Sequence, residues 1–172
     1  RLHNMRTLQF SDLNTSSATN MGSMFRDCTN ATSINLNSFD TAKVTSIDHM
    51  FDGCTKLNDI RIAINTANVR NMNSVFKNCT SLTALDLSSF NTSNVTNMNY
   101  MFSSTQVSTL DISNFDTSKV TSMEGMFQDC AAESLDLSSF DTSKVIQMRS
   151  MFSGSKATSL DLSNFDTSNV TN

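Results

Sequence analysis

A column of acidic residues is the first feature of this sequence that could support chemistry. Asp86, Asp111, Asp136 and Asp161 recur every 25 residues, each between two apolar residues. Carboxylates held in a row would attract a basic protein surface or bind calcium weakly, or they would be solvated charges that keep strand edges apart. Because no glycine-rich aspartate loop surrounds them, we predict no metal site and no cofactor.

The four cysteines share one position, three residues after a Phe, and Thr or Ser replaces Cys in two other repeats. This exchange indicates a small, half-buried side chain and favours free thiols. A disulfide would remain possible between Cys28 and Cys54, or between Cys54 and Cys79, if the repeats stack closely enough. Cys130 has no Cys in either flanking repeat and is predicted to be free.

Catalysis and nucleic-acid binding are both disfavoured by the sequence. His3 and His49 are isolated, with no Ser or Cys arrangement typical of a catalytic triad, so we predict no enzyme activity. The net charge of -4 argues against a phosphate-binding surface. Since no apolar run approaches the length of a membrane span, no membrane insertion is expected within this segment.

These residues belong to a repeat that runs along the whole chain. Units begin near residues 8, 34, 60, 85, 110, 135 and 160, at steps of 25 or 26 residues. A fixed period in this range is typical of a solenoid, in which each unit forms one coil and packs on the next. We predict a single solenoid domain over residues 1–172 and expect it to be a segment of a longer array.

Each unit has two apolar patterns of different period. Leu135 and Leu137 flank Asp136, which predicts a short strand with the carboxylate outside. A second run of apolar residues follows at spacings of three and four, which predicts a short helical or 3-10 turn. This run comprises Val145, Met148, Met151 and Phe152.

Two polar columns separate the strand from the helical turn. Asp and Asn interchange in the first, which is typical of caps that accept backbone N–H groups. Thr fills the second without exception; we predict that its hydroxyls bond to the backbone, with an ice-binding face as the alternative. The members of the first column are Asp40, Asn65, Asn91, Asp116, Asp141 and Asp166, and those of the second are Thr15, Thr41, Thr66, Thr92, Thr117, Thr142 and Thr167.

The full unit, Leu-x-Leu-Ser-x-Phe-Asp-Thr-Ser-x-Val-Thr-x-Met-x-x-Met-Phe-x-x-Cys, resembles the BspA-type leucine-rich repeat family of bacterial surface proteins. The resemblance covers residues 8–172. It implies an α/β repeat fold, a leucine-rich-repeat-like right-handed solenoid with short parallel β-strands and short helical or 3-10 turns, 25–26 residues per coil. Leucine-rich repeats usually place Asn after the strand. Here a Phe column stands there, and we predict that it stacks as a spine: Phe39, Phe90, Phe115, Phe140 and Phe165.

The resemblance also implies a function. It predicts an extracellular, cell-surface module that performs adhesion, binding a protein or a host or cell-surface ligand through an extended face that includes the acidic column. The alternative is a structural spacer or stalk that presents another domain, because the units from residue 85 onward are nearly identical. An ice-binding surface is a minor alternative. Besides a ligand, the expected partners are neighbouring repeats of a longer chain.

Overall fold

The computed structural model describes residues 4–10 and 13–172, so His3 lies outside the described residues. Three strands, β1 (Thr7–Gln9), β2 (Ser33–Asn35) and β3 (Asp59–Arg61), form a parallel sheet in the order β1-β2-β3. Leu8 pairs with Ile34, and Ile34 with Ile60. Consecutive units therefore lie side by side in register, and the predicted short parallel strands are confirmed for the first three units.

The strand prediction is wrong for the later units. None of the described residues after Arg61 belongs to a strand, although a single parallel bridge joins Thr109 to Ser134. The strand-centre residues of the first three units are Gln9, Asn35 and Arg61, whereas every later unit carries Asp. Like charges opposed across strands weaken pairing, although the ladder already ends at the step from Arg61 to Asp86, where the charges are opposite.

The longest run of pairing lies elsewhere in the unit. Isolated parallel bridges connect one residue of each unit to the equivalent residue of the next, just before the segment that contains the Met-Phe pair. They run through six units, joining Asn20, Ser46, Asn71, Asn97, Ser122 and Gln147 in turn. This ladder holds units together after the strand ladder has ended.

The predicted helical turn is absent, and the α/β assignment is therefore wrong. We call the eight residues that follow each bridge the Met-Phe segment; the described chain contains six of them, residues 21–28, 47–54, 72–79, 98–105, 123–130 and 148–155, and none is helical. Each contains two residues with positive φ, for example Ser23 at 56° and Asp27 at 56°. A left-handed residue every fourth position interrupts a right-handed helix.

Backbone hydrogen bonds in the Met-Phe segment alternate in direction. The N–H groups of Ser23 and Phe25 donate across to the next unit, to the carbonyl oxygens of Asp48 (2.7 Å) and Met50 (3.0 Å). Between them, Arg26 N–H donates back to Ser23 at 3.2 Å, a bond between residues three apart that closes a turn. About half of the backbone N–H groups of the segment, which would bond within a helix, therefore bond to the neighbouring unit instead.

The apolar interior is a set of columns that cross the units. The Phe of each Met-Phe pair stacks on the next, with ring centroids 5.7–6.0 Å apart and ring planes 5–12° from parallel. These separations are within the range of favourable offset stacking. The Phe spine consists of Phe25, Phe51, Phe76, Phe102, Phe127 and Phe152.

The Phe column that was expected to form the spine does not form it. Unit 3, residues 60–84, has Ile64 at that position, so the column is interrupted. Its members instead pack against the spine at an angle: Phe115 lies 6.4 Å from Phe102 with the ring planes 32° apart. They are nevertheless core residues, since Phe115 is 1% exposed.

The threonine column confirms the prediction of hydroxyls bonded to the backbone. Thr117 Oγ1 donates to the carbonyl oxygen of Asp141 in the next unit at 2.9 Å and accepts from the N–H of the same residue at 2.8 Å. From Thr41 to Thr142 these residues are only 1–2% exposed. The ice-binding alternative is wrong for this column, because its hydroxyls face the interior.

Candidate binding face

The strand-centre residues lie on the outside of the stack, as predicted. Asp86, Asp111, Asp136 and Asp161 are all exposed, while the apolar residue that follows each of the first three is buried. Each carboxylate has one oxygen engaged locally, because the N–H of the serine two residues on donates to it at 2.9–3.1 Å. The second oxygen is oriented by no backbone bond and is open to solvent or to a partner.

Local hydrogen bonds also fix the charge of this acidic column. The hydroxyl of the following serine, and then its backbone N–H, lower the pKa of each of the four carboxyls below the ordinary value of 3.8. For Asp111, the neighbouring Asp136 acts weakly in the opposite direction and raises the pKa. The four residues are therefore ionised throughout the physiological pH range.

The surface around the column is shallow. A groove of about 200 Å³ lies beside Asp86, with Arg61 on its other side, and a similar groove of about 190 Å³ runs between Asp136 and Asp161. Serines, an asparagine and apolar residues of the strand positions complete both linings. These depressions follow the boundaries between units, and their geometry suits contact with a partner surface.

The described residues contain no group of three or more His, Cys, Asp or Glu side chains placed to hold a metal ion. Neighbouring carboxylates in the acidic column are separated along the stack axis, and each already accepts a serine N–H.

The second Asp column acts as a series of caps. Asp141 Oδ1 accepts the N–H of Ser143 at 2.9 Å, and Asn91 Oδ1 accepts the N–H of Ser93 at 3.0 Å in the same way. Asp and Asn serve equally well because only an acceptor oxygen is needed. The side chains of this column shape the turn before the Met-Phe segment.

His49 is not isolated, contrary to the sequence prediction. Its Nδ1 lies 3.0 Å from Oδ2 of Asp52, and Nε2 lies 3.4 Å from the side-chain amide of Asn73 in the next unit. The Asp52 side chain is only 8% exposed and also contacts Arg26 and Asn78, which come from the units on either side. This cluster ties three units together; the sequence signal was the spacing of 24–26 residues, close to one repeat.

A second cluster of contacts between units forms around Tyr100, the only tyrosine. Its hydroxyl donates to Glu124 in the next unit at 2.7 Å, and Lys77 from the preceding unit lies 4.6 Å from the ring centroid. The ring lies over Gly125, where a Cβ atom would come within 2.3 Å of a ring carbon. Sequence reasoning missed this contact because Tyr, Glu and Lys each occur at their position of the repeat in one unit only.

The cysteines form no disulfide, and all four are buried free thiols. Cys54 Sγ donates to the carbonyl oxygen of Phe25, and Cys79 Sγ to that of Phe51, at 3.1 and 3.2 Å. Burial raises the pKa of Cys54 from 9.0 to about 12, and it raises that of Cys79 well above 9.0. Such thiols are poor nucleophiles and poor metal ligands.

Units that pair in parallel with their successors, around columns of stacked side chains, define the chain as a repeat protein. Over residues 3–85 and again over residues 70–172 it matches the family described as "Mycoplasma protein of unknown function, DUF285". The chain belongs to this family.

No curated protein matches the chain significantly. Among solved structures, it is similar to a leucine rich repeat protein from T. pallidum, with 19% sequence identity and a TM-score of 0.37. That alignment covers 75% of this chain and 61% of the T. pallidum chain. In the described part of the chain, none of the structure is a helix that could cross a bilayer.

Proposed function

We propose that the chain is a non-enzymatic module that binds a protein ligand at the cell surface through the face that carries the acidic column. One observation supports this above all: four exposed carboxylates recur in register on an extended surface and stay ionised at neutral pH. A periodic row of negative charge suits a partner surface rich in Lys and Arg. The resemblance to BspA-type repeats supports an extracellular location and an adhesive role.

The test compares two variants that lose the same number of charges. In the column variant, Asp86, Asp111, Asp136 and Asp161 are changed to Asn; in the cap variant, Asp40, Asp116, Asp141 and Asp166 are changed to Asn. Since Asn65 and Asn91 already occupy the cap positions naturally, the cap variant is expected to fold. Beads coated with each chain are applied to cultured host cells, with and without prior protease treatment of the cells.

We expect wild-type and cap-variant beads to adhere, column-variant beads to lose most adhesion, and protease treatment to abolish it. Equal adhesion of the two variants would show that the column is not the contact. Adhesion that survives protease treatment would exclude a protein ligand.

The second candidate is a spacer that presents another domain. The near identity of units 4 to 6 (residues 85–159) favours it, because a spacer requires length more than side-chain identity. Deletion of residues 110–134, one complete unit, discriminates between the two. A spacer would retain its function with a shorter reach, whereas a binding face would lose affinity.

A further inference from the structure

The strand side of units 4 to 6 lacks a backbone hydrogen bond that unit 2 makes to unit 3. Leu36 N–H donates to the carbonyl oxygen of Arg61 in the next unit at 2.8 Å. The equivalent N–H groups of Leu87, Ile112 and Leu137 make no hydrogen bond to any described residue. These three residues are only 1–2% exposed. Their backbone amides therefore lack a protein partner even though the residues belong to the core.

The unpaired amides coincide with the acidic column. By the register of Leu36, the missing acceptors are the carbonyl oxygens of Asp111, Asp136 and Asp161 in the succeeding units. Closing these bonds would bring each carboxylate into the directly opposed position, at about 5 Å from its neighbour. On the Met-Phe side units 4 to 6 remain paired, for example from Phe102 N–H to the carbonyl oxygen of Met126 at 3.0 Å. On the strand side, a parallel bridge remains between Thr109 and Ser134, and the backbone bonds are missing just beyond it, next to the residues that carry the charges.

Local capping does not explain the difference. Asn35, in strand β2, accepts the N–H of Asn37 at 3.1 Å in the same way that Asp111 accepts that of Ser113. Strand β2 nevertheless pairs on both sides. What distinguishes Asn35 from the aspartates is the charge.

Units 3 and 4 also lack the equivalent backbone bond, from Ile62 N–H to the carbonyl oxygen of Asp86, although Arg61 and Asp86 have opposite charges. Unit 3 is irregular there: Ile64 N–H donates back to the carbonyl oxygen of Ile62 at 2.7 Å, a tighter turn than the one that Phe39 N–H closes onto Leu36 in unit 2. The Ile62 amide should therefore not respond to a change of charge, which makes it an internal control.

We propose that repulsion within the acidic column keeps the backbone at the strand centres of units 4 to 7 unpaired, and that neutralising the column extends the pairing into a continuous parallel ladder. The acidic column would thus act as a conformational switch on the outer face of the stack. On neutralisation, the N–H groups of Leu87, Ile112 and Leu137 form hydrogen bonds to the carbonyl oxygens of the succeeding units. This switch does not depend on the proposed adhesive function, since any neutralisation of charge should trigger it.

The experiment is NMR on the full chain, the column variant and the cap variant. The readouts are amide hydrogen exchange at Leu87, Ile112 and Leu137 and through-hydrogen-bond coupling from these amides to the carbonyls of residues 111, 136 and 161. We expect the column variant alone to show the couplings and exchange at least about tenfold slower, because bonded amides exchange only after opening. Leu36 serves as the paired reference and Ile62 as the unresponsive one.

Salt provides a second, independent arm that needs no mutation. Raising NaCl from about 0.01 to 1 M shortens the Debye length from about 30 to 3 Å and screens the column. Exchange at the three amides of the wild-type chain should slow with salt, and exchange in the column variant should not change. The proposal is overturned if the two variants behave alike, or if wild-type exchange is independent of salt.

Discussion

Serine side chains set the charge state of the acidic face at the residue scale. In each unit from residue 85 on, an Asp is followed two residues later by a Ser whose N–H donates to the carboxylate. The same Asp-x-Ser arrangement recurs in the cap column, at Asp116, Asp141 and Asp166. One short motif therefore shapes the turn and stabilises the ionised form of its acid.

Replacing Ser113 by Ala should raise the pKa of Asp111 toward 3.8. The hydroxyl of Ser113 donates to Asp111 Oδ1 at 2.7 Å and is the largest cause of the lowered pKa. Because the pKa of Asp111 is lower in the folded state, its ionised carboxylate stabilises the fold at pH values above the unfolded-state pKa. This contribution is lost as pH falls through the folded-state pKa. In the variant this contribution should be smaller, and its loss should be complete at a higher pH. NMR titration of the carboxyl checks this, with Asp161 as the unchanged control.

Cys54 should be inert in the folded chain and reactive in the unfolded chain. A variant that keeps Cys54 and has Ser at the other three cysteine positions should not react with Ellman's reagent at pH 8, and should react fully in guanidinium chloride. Because the pKa is raised from 9.0 to about 12, stability should fall as pH rises from 9 toward 12. Rapid reaction without denaturant would contradict the observed burial.

Left-handed residues distinguish the Met-Phe segment from a helix at the scale of the element. One position of the segment holds Asp, Gly, Asn or Ser in every unit, the small residue types that best tolerate positive φ. The apolar spacing of three and four predicted a helix, because consecutive turns place side chains inward at similar intervals. The residues whose types argued against a helix are those at the positive-φ position, namely Asp27, Gly53, Asn78, Ser104, Asp129 and Gly154.

Gly125→Ala should destabilise the chain by about 1–3 kcal/mol, because the residue has φ of 57° and its Cβ would collide with the Tyr100 ring. Tyr100→Ser should recover part of this loss in the double variant, since it removes the collision and leaves the backbone strain. Urea unfolding of the four proteins in the cycle measures the coupling. Additive effects would show that the ring does not contact Gly125 in solution.

The sequence predicted the strand element only where its side chains permit pairing. Period, register and the inward positions of Leu and Phe followed from spacing, and the structure places them as expected. The end of the strand ladder after Arg61 did not follow, because unit 3 forms a local turn there, in which Ile64 N–H donates to the carbonyl oxygen of Ile62. Likewise, the spine formed by Phe102 and its equivalents could not be distinguished from the second Phe column, since both have the same period.

At the scale of the whole molecule, stability should depend on position along the stack. Phe102→Ala removes a fully buried ring with a stacked neighbour on each side and should cost about 3–5 kcal/mol. Phe152→Ala removes an equivalent ring that is only partly buried and stacks on one neighbour, Phe127, so it should cost less than half as much. Urea midpoints of the two variants provide the test. Equal losses would contradict the nearest-neighbour description of the stack.

The backbone hydrogen bonds between Met-Phe segments give the molecule a net dipole along the stack. Between units 3 and 4, the N–H groups of Met72, Ser74, Phe76 and Asn78 all point toward the later unit, and only Thr96 points back. Peptide dipoles aligned in this way add up, as they do along a helix axis. The stack is therefore polarised lengthwise, with its positive pole toward residues 148–155. Peptide groups, as well as side chains, thus influence how the molecule orients beside a charged surface.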